Sequence, residues 1–103
     1  MEIKFKDSYL AKLFSNQSIK GKPVYSNEVV TKFKKVVNII SQTENSVKLR
    51  RYKGLHFEAL KGNKKGIYSV RIDKQYKLEF KIENNLITLA EIVLIEDLSK
   101  HYE

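Results

Sequence analysis

FEALKGNKKGIYSVRIDKQYKLEF, residues 57–80, decides how this 103-residue chain is read. Gly62 and Gly66 bracket Asn63-Lys64-Lys65, and the chain that follows alternates apolar residues with Lys, Arg and Tyr. A glycine-bracketed polar loop followed by alternation at period two predicts a turn that feeds β-strands. The predicted strands cover residues 67–72, 75–82 and 86–95, joined by short turns at Asp73-Lys74 and Asn84-Asn85, which favours antiparallel neighbours. In the second strand Tyr76, Leu78, Phe80 and Ile82 share one face, and Gln75, Lys77, Glu79 and Lys81 share the other. The third is apolar on both faces and therefore belongs inside the sheet, flanked on both sides.

Upstream of this block the periodicity changes. From Ser26 onward Val29, Val30, Phe33, Val36, Val37 and Ile40 recur at the spacing of one helix face, with Lys32, Lys34 and Lys35 on the other. Their β-branched side chains disfavour helix weakly, so the element has to be stabilised by packing that face on a sheet. Earlier still, alternation over residues 2–6 predicts a short strand. Asp7 or Ser8 can cap a short helix through Leu10, Leu13 and Phe14, and Gly21 and Pro23 end it. Residues 47–60 read as an irregular connection with one helical turn near Leu49. Helices first and strands later predict an α+β fold of two layers, one domain over residues 1–103.

Charge is lopsided along the chain. Residues 48–81 hold eleven Lys or Arg against three acids, Glu58, Asp73 and Glu79, a net +8 that equals the charge of the whole protein. Charge gathered in one hairpin becomes a patch in space, and such a patch attracts a polyanion, nucleic acid first. There is no cysteine, which excludes disulfides and thiolate chemistry, and two histidines are too few for a histidine-based metal centre. No nucleotide-binding fingerprint, apolar leader or membrane-length apolar run is visible, so neither a cofactor nor a membrane is predicted and the cytoplasm is the expected compartment.

Within the basic segment Lys61, Lys64, Lys65, Arg71, Lys74 and Lys77 interleave with Tyr68 and Tyr76. Cations neutralise phosphates and a tyrosine on the polar face stacks on an unpaired base, a combination suited to single-stranded RNA. The bland alternative is a solvated hairpin whose lysines block edge-to-edge pairing. Tyr76 falls in the core register and reads as packing. His101, beside Tyr102, is a candidate general acid or base if the last strand returns the tail over the sheet. His56 has the same chemistry but stands between Leu55 and Phe57, which reads as structural. Glu58 reads as a base, an ion-pair partner or a solvated acid.

These residues resemble a known motif. Phe57-Glu58-Ala59-Leu60-Lys61-Gly62, then Gly66, Tyr68 and Ser69-Val70-Arg71-Ile72, then Asp73-Lys74-Gln75-Tyr76-Lys77-Leu78-Glu79-Phe80 resemble the core of HigB-type killer toxins in the RelE/ParE superfamily. Weaker likeness extends to Phe5, Leu10, Leu13-Phe14 and Lys22-Pro23 at the start and to Glu96-Asp97 and His101-Tyr102 at the end. The resemblance implies a RelE-like two-layer fold, with an N-terminal strand and two helices packed on a mainly antiparallel sheet. It implies a ribosome-dependent mRNA endoribonuclease that works without a metal and is held inactive by a cognate helix-turn-helix, HigA-like antitoxin. Its implied catalytic set is Lys61, Arg71, Lys77, His101, Tyr102 and Glu58, with Lys53, Lys64, Lys65, Tyr68 and Lys74 contacting RNA. Lys77 stands where the family has Arg, and Glu58 where some members have His. Two other functions fit the same residues: a ParE-like toxin acting on DNA gyrase, and a nucleic-acid-binding module without catalysis.

Overall fold

The structure, a computed structural model, describes residues 1–100. Five strands form one sheet in the order β1-β5-β4-β3-β2: β1 is Glu2–Phe5, β2 Glu58–Ala59, β3 Tyr68–Arg71, β4 Tyr76–Asn84 and β5 Glu91–Lys100. β1 runs parallel to β5, and every other pair is antiparallel. Three helices, α1 Ser8–Phe14, α2 Asn27–Gln42 and α3 Ser46–Arg50, contribute core residues to one face of the sheet. This is the α+β two-layer arrangement predicted for the chain; α3 is the helical turn expected near Leu49, and the two-residue edge strand β2 is added.

The predicted helix from Ser26 is α2. The Ser26 hydroxyl accepts the Val29 N–H and caps it, and Val29, Phe33, Val36, Val37 and Ile40 are buried. Those residues meet Val70, Leu78, Phe80, Val93, Ile95 and Leu98 from the sheet, which supplies the burial that β-branched helix residues require. The Asp7 carboxylate caps α1 in the same way by accepting the Leu10 N–H. β5 lies inside the sheet between β1 and β4, as an apolar strand should.

Two expectations need correction. The third predicted strand, residues 86–95, is displaced towards the C-terminus, and β5 runs Glu91–Lys100. The predicted two-residue turn is a longer loop in which the Asn85 side chain accepts the N–H groups of Ile87 and Thr88, and Leu89 takes a left-handed φ of 60°. Asparagine tolerates and closes such local turns, and this one leaves Leu86 and Ile87 each 92% exposed. The second correction concerns Glu79. It lies on the open face of β4 as its alternation requires, yet it is only 2% exposed.

Candidate functional site

Opposed residues of an antiparallel pair lie on the same face of a sheet, so the register aligns side chains from neighbouring strands into rows. On the face away from the helices, Arg71 opposes Lys77, which opposes Ser99. The next row is Glu58, Ser69, Glu79 and Asp97. Arg71 and Lys77 are therefore direct cross-strand neighbours of like charge, an arrangement that destabilises a sheet unless an anion sits over it. Among the described residues neither of them joins an ion pair, whereas Lys64 and Lys81 do.

The loop between β2 and β3 folds over the second row. Gly62 and Gly66 hold φ of 64° and 92°, and open space surrounds both, so backbone conformation and not crowding requires glycine there. The short 3-10 turn Gly62–Lys64 then delivers the Lys64 ammonium to the Glu79 carboxylate at 2.9 Å, and the Ser99 hydroxyl donates to the same group. Burial alone pushes the Glu79 carboxyl up. The hydrogen bonds from Ser99 and Lys64 and the charges of Lys64 and Lys77 outweigh it, and the group stays below its ordinary range. Glu79 is thus an ionised buried anchor that pins Lys64 beside Lys77.

At the sheet edge β2 pairs only with Ser69 and Tyr68, so the end of β3 borders the 3-10 turn Lys53–Leu55 instead. His56 follows that turn with a left-handed φ of 48°. A cleft of about 340 Å³ opens there, lined by Arg71, His56, Lys74, Asp73 and, from α2, Lys32. The Asp73 carboxylate accepts the N–H groups of Gln75 and Tyr76, which closes the β3–β4 turn and keeps Lys74 exposed at its tip.

The fold thus gathers Arg71, Lys77 and Lys64 on the open face, with Glu58 exposed at its edge on β2. Lys61 and Lys65 are exposed at either end of the Gly62–Lys64 turn, and Lys53 is exposed on the other 3-10 turn. Tyr68 is not on this face. Its register with Phe80 puts it on the helix side, where its ring packs against Phe57 at 5.3 Å and under the Arg50 guanidinium at 5.8 Å. Tyr76 packs edge-on against Tyr25, as its core register indicates. His56 is exposed and lines the cleft, contrary to the structural reading of its apolar neighbours. His101 and Tyr102 lie outside the described residues. Lys32 and Ser99 were missed by sequence reasoning because helix and strand spacing say nothing about which distant segment adjoins them. Gly54, two residues before His56, is the one local sign that the chain turns there.

A family model described as the RelE-like toxin of the type II toxin-antitoxin system HigB matches residues 3–92. An uncharacterized protein of Haemophilus influenzae is 37% identical over 81 residues, covering 79% of this chain and 78% of that protein. Among solved structures, the YoeB/ParE toxin from Agrobacterium tumefaciens has a TM-score of 0.58 at 16% identity, covering 99% of this chain and 100% of that one. YafQ from E. coli scores 0.59 at 14% identity, covering 97% and 92%. The YoeB-YefM complex from Staphylococcus aureus scores 0.58 at 20% identity, covering 99% and 98%. At such identities these structures show a shared fold. The family model, which spans nearly the whole chain, shows more: this protein belongs to the HigB-like family of RelE-like toxins from type II toxin-antitoxin systems.

Proposed function

We propose that this toxin is a ribosome-dependent mRNA endoribonuclease of the cytoplasm, restrained by a HigA-like helix-turn-helix antitoxin. The observation that carries the reading is the opposed Arg71–Lys77 pair on the open sheet face, with Lys64 anchored beside it. Such a pair is a local cost that an RNA phosphate between the two cations turns into a gain. Membership of a toxin-antitoxin family supports the antitoxin as partner.

The chemistry needs no redox step or cofactor. The ribose 2′-oxygen attacks the adjacent phosphorus as a base removes its proton. The bond from phosphorus to the 5′-oxygen then breaks as an acid protonates that oxygen. The products are a 2′,3′-cyclic phosphate and a 5′-hydroxyl. Arg71, Lys77 and Lys61 neutralise the anionic phosphorane. Arg71 offers a planar fork, and Lys77 a compact point charge where the family has Arg. Glu58, His101 and Tyr102 are the assigned acid–base groups.

The test adds purified protein to a reconstituted translation system with a defined mRNA and maps the 5′ ends of fragments. Cuts that require ribosomes, fall about 10²- to 10³-fold in Arg71→Ala and weaken in His101→Ala are expected. Intact mRNA together with gyrase-dependent DNA damage would overturn the nuclease in favour of a ParE-like activity. Binding that falls steeply with salt, without cleavage, would leave a nucleic-acid-binding protein.

A further inference from the structure

We propose that the groove between α2 and the 3-10 turn Lys53–Leu55 is a base-binding subsite, which takes one unpaired RNA base on Tyr52 and its flanking phosphates on Lys32 and Lys35. The inference rests on the nuclease reading and adds to it a place where sequence preference is set. Two depressions form this groove. The cleft of about 340 Å³ beside His56 continues through Lys32, Gly54, Arg71 and Ile72 into a second of about 310 Å³ that reaches Tyr52 and Lys35.

The lining is divided by chemistry. Val36, Leu55 and Ile72 form a buried aliphatic floor, and Lys32, Lys35 and Arg71 line the same groove. Tyr52 stands in it at 49% exposure, the one aromatic among the largely exposed apolar side chains of the described residues. Its backbone is fixed at both sides: its N–H donates to the Leu49 carbonyl, and its own carbonyl accepts the Leu55 N–H. A rigidly mounted, half-open aromatic over an apolar floor with cations alongside is what an unpaired base and its phosphates require. The local acids offset only part of that charge. Glu28 pairs with Lys32 at 3.0 Å across an exposed helix surface, where such a pair is weak and exchanges readily for a phosphate, and Asp73 lines the cleft, whereas Lys35 and Arg71 join no ion pair among the described residues.

Size and continuity favour RNA over an acidic helix from a protein partner. Pockets for small ligands begin near about 300 Å³, so each depression suits one nucleotide and not several turns of helix. Arg71 borders both this groove and the open face, so a strand whose scissile phosphate lies at Arg71 carries its next nucleotide into the groove.

The experiment measures fluorescence anisotropy of the full chain with a labelled six-nucleotide RNA, its 2′-hydroxyls methylated to prevent cutting, and with the six variants that each lack one base. Tyr52→Ala is expected to weaken binding by about 5- to 100-fold, with Tyr52→Phe close to wild type and Lys35→Ala steepening the loss. For one abasic RNA, Tyr52→Ala should cost nothing further. Lys12→Ala on α1 serves as the exposed control. Binding of every RNA unchanged by Tyr52→Ala would overturn the subsite, as would a loss confined to antitoxin binding, which would make the groove a protein-docking surface. Failure of the wild type to cut ribosome-bound mRNA, with Tyr52-dependent binding intact, would sink the nuclease reading and leave the subsite standing.

Discussion

Replacing Lys64 by methionine should weaken the pH dependence contributed by Glu79. In the native protein the Glu79 side chain is 3% exposed and its carboxylate is held ionised by Lys64 at 2.9 Å, by the Ser99 hydroxyl and by the nearby charge of Lys77. Its folded pKa lies below the ordinary value of 4.5. It therefore contributes stability that is fully present above 4.5 and is lost as pH falls through the lower folded value. Lys64→Met removes one of the two hydrogen bonds and the nearest charge, while burial, the largest single influence on the group, remains. The folded pKa therefore rises and the stabilising contribution of Glu79 shrinks: the variant's penalty relative to wild type is small below pH 4.5 and grows as pH rises.

The size of the loss follows from the geometry. A hydrogen bond to a charged group is worth about 1.5–3 kcal/mol, and breaking a fully buried ion pair costs about 3–5 kcal/mol. Lys64 is itself 49% exposed, so solvent screens its half of the pair, and Ser99 still serves the carboxylate. We expect a loss of about 1.5–2.5 kcal/mol at pH 7 and under about 1 kcal/mol at pH 4. Urea unfolding followed by circular dichroism reads this as a midpoint shift of roughly 1–2 M at pH 7. Taking variant minus wild type at each pH cancels the general acid sensitivity of a chain with net charge +8. A penalty equal at both pH values, or larger at pH 4, would refute the reasoning. Glu79→Gln, which has no charge to titrate, should leave the residual pH dependence flat near this site.

Other residues give independent checks. The Tyr25 hydroxyl donates to the Leu98 carbonyl at 2.8 Å, and burial, then the charges of Asp97 and Asp7, push its phenol up to about 12. Its stabilising contribution is full below pH 10 and is lost between 10 and about 12; ultraviolet titration should show one tyrosine ionising late, and Tyr25→Phe should remove that step at a cost of about 1 kcal/mol. Ile87→Ser should change stability by no more than about 0.5 kcal/mol, because Ile87 is 92% exposed in the β4–β5 loop, and an unchanged urea midpoint with better solubility at high concentration would show it. Arg50→Ala should lower stability by about 0.5–1 kcal/mol by removing the guanidinium 4.9 Å from the Phe57 ring; no change in midpoint would mean that this contact is not stabilising.

Much of the molecule was legible in one dimension because it rests on local rules. The Asp7 cap of α1, the α2 stripe from Val29 to Ile40 and the alternation of β3 and β4 are local signals that a chain states by itself. The β4–β5 connection was not, because Leu86, Ile87 and Leu89 are apolar yet exposed, and hydropathy alone assigns them to the strand. Whether an apolar residue is buried depends on which segment arrives over it.

The candidate site divides along the same line. The sequence by itself determined that the positive charge is concentrated in residues 48–81 and that Arg71 and Lys77 occupy the non-core positions of two adjoining strands, since both facts follow from order and alternation. Only the tertiary structure decided that Glu79 is a buried anchor for Lys64 and that His56 joins Lys32 in a cleft. Those outcomes require segments 15 or more residues apart to meet. Burial, hydrogen bonding and charge pairing are properties of that meeting and not of any one segment.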